Sequence, residues 1–151
     1  MDRIVKNKII LQFQSRGENV ALSRITIAAL ASQLDLTLND LEEIKVATSE
    51  AVSNAIIHGY QNDPDKIVKL TGTLYDDFLE IEVSDDGIGI KDVKEALQPA
   101  FSTDPDRMGL GFVFMQSFMD EVVVDSEVNR GTSVTLRKRI SSNGAENKAV
   151  S

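Results

Sequence analysis

Ile9, Leu11 and Phe13 alternate with Lys8, Ile10 and Gln12, an imperfect period of two that predicts an opening strand over residues 4–13. Past Gly17 the period lengthens. Leu22, Ile25, Ala28 or Ala29, and Ser32 fall on helical spacing, and this first helix runs out near Leu34-Asp35. A second helix is expected with Asn39 or Asp40 as its N-cap, Glu42 and Glu43 in the favourable first turn, and Gly59 as its stop. On it Leu41, Ile44, Thr48, Ala51, Val52 and Ala55 gather on one side, at about 100° per residue. Gln61-Asn62-Asp63-Pro64-Asp65 reads as a turn. Val68, Leu70 and Leu74 then alternate with polar neighbours, Asp76-Asp77 turns the chain, and Leu79, Ile81 and Val83 alternate again, which predicts an antiparallel hairpin.

Residues 91–108 hold no sustained period and carry two of the three prolines, so they read as a mobile lid with one short helix. From Gly109 a helix is expected through Phe112, Met115, Phe118 and Met119. Val122-Val123-Val124, the turn Asn129-Arg130-Gly131, and Val134, Leu136 and Ile140 make a second hairpin. Residues 141–151 are polar and are expected to be a disordered tail, leaving residues 1–140 as one domain. Helices and antiparallel hairpins in this order predict an α+β two-layer sandwich, with helices on one face of a mixed, mostly antiparallel sheet.

A chain of 151 residues suits one domain and can bury about 68–70% of the surface it exposes when unfolded. Its formal charge of −8, with no Lys/Arg-rich run to offset it, would repel nucleic acid, so no direct nucleic-acid partner is expected. The absence of cysteine removes disulfides, thiolate-metal sites and a cysteine nucleophile. Neither a signal peptide nor an apolar run approaching ~18 residues is present, which predicts a cytoplasmic protein with no membrane partner.

Chemistry enters with Glu50 and Asn54. One helical turn apart, they share a face and lie off the buried stripe. Such a pair is most often a solvated surface, but two further elements follow it. Asp86-Gly87-Ile88-Gly89-Ile90 comes directly after the strand-like run Phe78 to Val83, and Gly109-Leu110-Gly111 opens an apolar helix. An ATP site needs an adenine reader, a phosphate cradle, a magnesium ligand and a group that handles the nucleophile's proton. Asp86 offers a carboxylate to an adenine amino group, or is simply a turn aspartate. Gly87 and Gly89 permit close backbone approach and positive φ. Gly109 and Gly111 present N–H groups to phosphates, or mark only a flexible helix start. Asn54 offers an uncharged oxygen suited to Mg²⁺, and Glu50 can accept a proton. Thr132, at the start of a strand after Gly131, reads by itself as a β-former. His58, the sole histidine, leaves no material for a phosphohistidine or a histidine-based metal site and reads as a helix-end residue.

Taken together, E-x-x-x-N, D-x-G-x-G-I and G-L-G before a helix resemble the N, G1 and G2 boxes of the GHKL ATP-binding superfamily, which implies a Bergerat-type fold. The phrases from Ser49 to Tyr60, Gln98 to Thr103 and Phe118 to Val122 are similar to the anti-sigma-F factor family of spore-forming bacteria, over roughly residues 5–140. That resemblance implies a serine protein kinase that uses ATP and Mg²⁺, phosphorylates an anti-anti-sigma protein and, as a homodimer with ATP or ADP bound, holds a sporulation sigma factor inactive. By position it makes Glu50 the catalytic base, Asn54 the Mg²⁺ ligand, and Asp86 and Thr132 the adenine contacts. Gly87, Gly89, Gly109 and Gly111 become nucleotide-loop residues, Thr103 and Arg107 phosphate contacts, and Arg24 the contact to both protein partners. The chain departs from the family at Val20, where an acidic residue often stands one turn before that Arg, and in a slightly short lid. Two other readings are a nucleotide-gated sigma-binding module without kinase activity and a stress-response anti-sigma kinase of the same chemistry. No phosphoacceptor domain is expected upstream, since the first strand begins within the first ten residues.

Overall fold

Alternation along five strands decides the architecture. In the computed structural model, which describes residues 3–98 and 108–140, one cross-strand row runs Leu11, Leu70, Val83, Val134 and Val124. The next row runs Ile10, Thr71, Glu82, Thr135 and Val123. The first belongs to the core, whereas Ile10 and Val123 in the second are largely exposed. A period of two thus gives the sheet one apolar face for helices and one more polar face. The strands are β1 (Val5–Gln14), β2 (Ile67–Tyr75), β3 (Phe78–Asp85), β4 (Glu121–Glu127) and β5 (Gly131–Arg139), in the order β1-β2-β3-β5-β4. Every pairing is antiparallel, so the expected mixed sheet has no parallel member among the described residues.

Helices α1 (Asn19–Ala31), α2 (Leu38–Asn54) and α4 (Met108–Phe118) supply the apolar face with its cover, and α3 (Val93–Leu97) is the one short helix expected after residue 91. Ile44, Ala47, Thr48, Ala51 and Val52 form the buried stripe of α2, close to the side its spacing predicts. Its cap differs from expectation. Thr37 Oγ1 accepts from Asp40 N–H at 3.0 Å while Asp40 Oδ2 accepts from Thr37 N–H at 3.3 Å, a capping box that places Asn39 and Asp40 inside the helix.

The first helix also turns a different face inward. Ser23, Ile27, Leu30 and Ala31 are buried, whereas the predicted Leu22 and Ile25 are 44% and 66% exposed. The run from Val20 to Ala31 is apolar nearly all round, so periodicity alone picks no face. The sheet picks it: a Cβ on Gly72 of β2 would lie 2.6 Å from Leu30 Cδ2 and 3.2 Å from Ile27 Cδ1, so the missing side chain lets α1 settle there. Among the described residues no helix is long and apolar enough to cross a membrane. Thr103, Arg107 and residues 141–151 lie outside the described residues.

Candidate active site

The end of α2 is not α-helical. Ala55–Gly59 widens into a π turn, with Tyr60 N–H donating to Ala55 O at 2.9 Å and Asn62 N–H to Ile56 O at 2.8 Å. Such turns recur at functional sites. This one sets Gly59 against the end of β3, where a Cβ would stand 2.7–2.8 Å from the carboxylate atoms of Asp85. Gly59 O accepts from Ile88 N–H at 3.0 Å, and a Cβ on Gly87 would overlap that same oxygen. Gly89, at φ +76°, carries the loop past Glu127. Two glycines therefore bring the β3 loop down onto the helix end, and a third gives it the left-handed bend.

Asp85 sits at the centre of this contact, 8% exposed, with Oδ1 accepting from Gly87 N–H at 2.9 Å. Burial pushes its carboxyl up to about 6, partly offset by bonds from the Gly87 and Thr132 backbone and reinforced by the neighbouring charge of Asp86. It lines a cavity of about 340 Å³ together with Asn54, His58, Gly89 and Thr132, walled by apolar groups such as Phe112 and Val134. Mostly apolar walls with a few convergent polar groups are the usual make-up of a small-molecule site.

The expected adenine reader, Asp86, is not among these lining residues. Its side chain is exposed, and its backbone N–H donates to Tyr60 Oη at 2.7 Å, while that hydroxyl donates to Ile67 O at 2.6 Å. The carboxylate in the cavity is Asp85, which the sequence reading passed over. The signal was present: D-x-G-x-G fits Asp85-Asp86-Gly87-Ile88-Gly89, and only Asp85 keeps the phase of Ile81 and Val83 that points to the helix-covered face.

At the other end α4 meets α2. A Cβ on Gly111 would lie 3.0 Å from Glu50 Oε2 and 3.3 Å from Asn54 Nδ2, so Gly111 lets the first turn of α4 close onto the predicted pair. Burial raises the Glu50 carboxyl above its ordinary range. Asn54 Nδ2 is buried with no hydrogen-bond partner, a donor that an oxygen-rich ligand would satisfy. Among the described residues there is no cluster of three or more His, Cys, Asp or Glu able to hold a metal. One carboxamide and one carboxylate beside a helix N-terminus nevertheless suit Mg²⁺, which takes few protein ligands and completes its shell with oxygens of its substrate and water.

Thr132 pairs with Asp85 in the β3–β5 register. Arg24 lies away from the cavity, donating from Nη1 to Ser49 Oγ at 3.3 Å, directly before Glu50. Val20 packs against the core. The geometry thus joins Glu50, Asn54 and Gly111 at one end and Asp85, Thr132 and Gly89 at the other, and leaves Asp86 and Arg24 outside.

Residues 13–138 match the protein family described as Histidine kinase-like ATPase domain. The anti-sigma F factor of Geobacillus kaustophilus is 50% identical over 143 residues, which span 93% of this chain and 98% of that one. The anti-sigma F factor of Geobacillus stearothermophilus is 51% identical over 136 residues, 89% of this chain and 93% of that one. The solved structure of the RsbU and RsbW domains of Rv1364c from Mycobacterium tuberculosis superposes with a TM-score of 0.64 at 17% identity, covering 89% of this chain and 32% of that one, a likeness of fold.

Proposed function

The chain belongs to the histidine kinase-like ATPase family and, within it, to the anti-sigma F factors, and on that premise we propose that it is an ATP-dependent protein-serine kinase that holds a sporulation sigma factor inactive and phosphorylates the anti-anti-sigma protein that opposes it. A single domain over residues 1–140, acting as a cytoplasmic homodimer with ATP or ADP bound, carries both tasks. The observation behind this reading is that α4 starts against Glu50 and Asn54, while the cavity bordered by Asn54 ends on the buried carboxylate of Asp85.

In this reading Asp85 takes over from Asp86 as the acceptor for the adenine amino group, with Thr132 beside it. The unpaired N–H groups at the start of α4, from Gly109 to Gly111, face the phosphates, as helix N-termini do. Thr103 and Arg107 are assigned to the phosphates by the resemblance alone. Asn54 with phosphate oxygens and water would hold Mg²⁺, whose charge offsets that of the transferred group. Glu50 accepts the proton of the attacking serine hydroxyl as its oxygen bonds to the terminal phosphorus and ADP departs. Its burial-raised pKa brings it closer to working pH, where a general base is most effective. Arg24, which donates to Ser49 and does not line the cavity, meets the protein partners.

The test is Glu50→Gln, assayed by radiolabel transfer from ATP to the anti-anti-sigma protein and by sigma-factor pull-down on the same preparation. Transfer should fall by about 10²–10⁴-fold, with nucleotide binding and sigma capture largely kept. Full transfer by the variant would make Glu50 a structural residue; loss of every activity would give it a part in holding the nucleotide instead.

A further inference from the structure

Ser126 stands next to last in β4, half-buried behind the cavity rather than among its lining residues. Its hydroxyl has three neighbours. It accepts from Ile90 N–H at 2.8 Å, lies 3.1 Å from the Gly131 carbonyl oxygen, and lies 2.8 Å from Thr132 Oγ1, with either hydroxyl able to donate in that last pair. A carbonyl can only accept, so when all three bonds form, the single Ser126 proton goes to Gly131. Thr132 must then donate its own proton to Ser126. Ser126 thereby donates once and accepts twice, which fills its capacity. If Ser126 donated to Thr132 instead, Gly131 would lose this partner at a half-buried position, the costlier arrangement. Thr132 therefore turns only lone pairs toward the cavity it lines, beside its register partner Asp85.

We propose that Ser126 is a positioning residue that fixes Thr132 as a hydrogen-bond acceptor and so makes this cavity select a 6-amino purine over a 6-oxo purine. The proposal rests on the reading of the cavity as an adenine-nucleotide site. An exocyclic amino group carries two hydrogens and suits two acceptors, the Asp85 carboxylate and the Thr132 oxygen. An oxo oxygen in the same place is an acceptor facing two acceptors, one of them charged, and sites built to pair a polar group discriminate strongly when the pairing is lost. Removing the Ser126 hydroxyl frees the Thr132 proton to turn into the cavity, where it can meet an oxo group.

The experiment titrates the full chain with ADP and with IDP, which differ in the C6 group and the N1 hydrogen that accompanies it, by calorimetry at pH 8. Wild type should prefer ADP. Ser126→Ala should narrow the ADP-to-IDP affinity ratio about tenfold, the scale of one hydrogen bond, while Ser126→Thr, which keeps the hydroxyl, should hold the wild-type ratio. A ratio unchanged in Ser126→Ala, with both affinities falling alike, would reduce Ser126 to a brace of the β4–β5 turn and overturn the proposal. Should that variant melt below the assay temperature, Thr132→Val decides in its place: it removes the acceptor and must narrow the ratio, and a wild-type ratio overturns the proposal. A wild type that binds neither nucleotide would instead refute the nucleotide reading, and this inference with it.

Discussion

Asp85 is a carboxylate that the fold keeps at a cost, and Asp85→Asn should expose that cost. Its pKa rises from an ordinary 3.8 to about 6, mainly through burial. A group whose folded pKa lies above its unfolded value binds its proton more tightly when folded, so its favourable contribution is complete below about pH 4 and is lost as pH rises through about 6. At roughly 1.4 kcal/mol per pH unit the difference approaches 3 kcal/mol. Water reaching the carboxylate from the cavity screens part of it, leaving roughly 1–2 kcal/mol above pH 7. Asparagine keeps an oxygen for the Gly87 N–H at 2.9 Å and discards the buried charge. Asp85→Asn should therefore melt about 2–8 °C above wild type at pH 8. Near pH 4 the two should melt together, and their difference should open between pH 4 and 7. The same variant should bind ATP about ten- to a hundredfold more weakly, the worth of a charge-assisted hydrogen bond. Melting curves across pH, with ATP titrations at pH 8, read both effects. A stability difference that stays flat from pH 4 to pH 8 would refute the desolvation argument, and unchanged ATP affinity would remove Asp85 from the base site.

Asp86→Asn, one residue along, should leave ATP affinity within about twofold of wild type, since its side chain faces solvent and surface substitutions seldom exceed ~0.5 kcal/mol; a tenfold loss by calorimetry would restore Asp86 as the adenine reader. Arg24→Ala should weaken sigma-factor capture by ~2 kcal/mol or more if the arginine is an interface hot spot, with ATP affinity nearly unchanged; an equal sigma affinity in titration would move the partner contact off this residue.

Much of the scaffold was legible because the sheet is half covered. Each strand with one wet face writes its alternation into the sequence, and both hairpins followed from it. The stripe of α2 was legible for the same reason, with polar Glu50 and Asn54 set apart from Ile44 and Ala51. Helix α1 was not, because a segment apolar on most sides leaves its orientation to what it packs against, and Gly72 made that choice from a strand more than forty residues away. The cap at Thr37 was missed because Asn39 and Asp40 are equally good caps in isolation, whereas the reciprocal bonds with Asp40 decide for Thr37. At the site, the motifs singled out Glu50, Asn54 and Gly111, which the fold brings together, and Gly89 and Thr132, which line the same cavity as Asn54. That Asp85 rather than Asp86 lines the cavity was not legible from the glycine pattern alone; it follows from the strand phase that leads into it. Ser126 left no local signal at all; its meaning arises only from the fold of β4 against Thr132 and Ile90.

The π turn at Ala55–Gly59 sets a phase between the two ends of the cavity. Upstream of it, regular winding fixes Glu50 and Asn54 relative to one another; downstream, Gly59 must meet Asp85 with no room for a single methyl group. A wider turn holds one residue more than α-helical winding would, and each residue of helix is worth about 100° of rotation. Wound tightly, the same segment would swing Gly59 away from β3 and bring a side chain round in its place. The two ends of the cavity, proposed here for the base and for the phosphates, are thus kept in step by one surplus residue, and a deletion there would disconnect them while leaving every motif intact in the sequence.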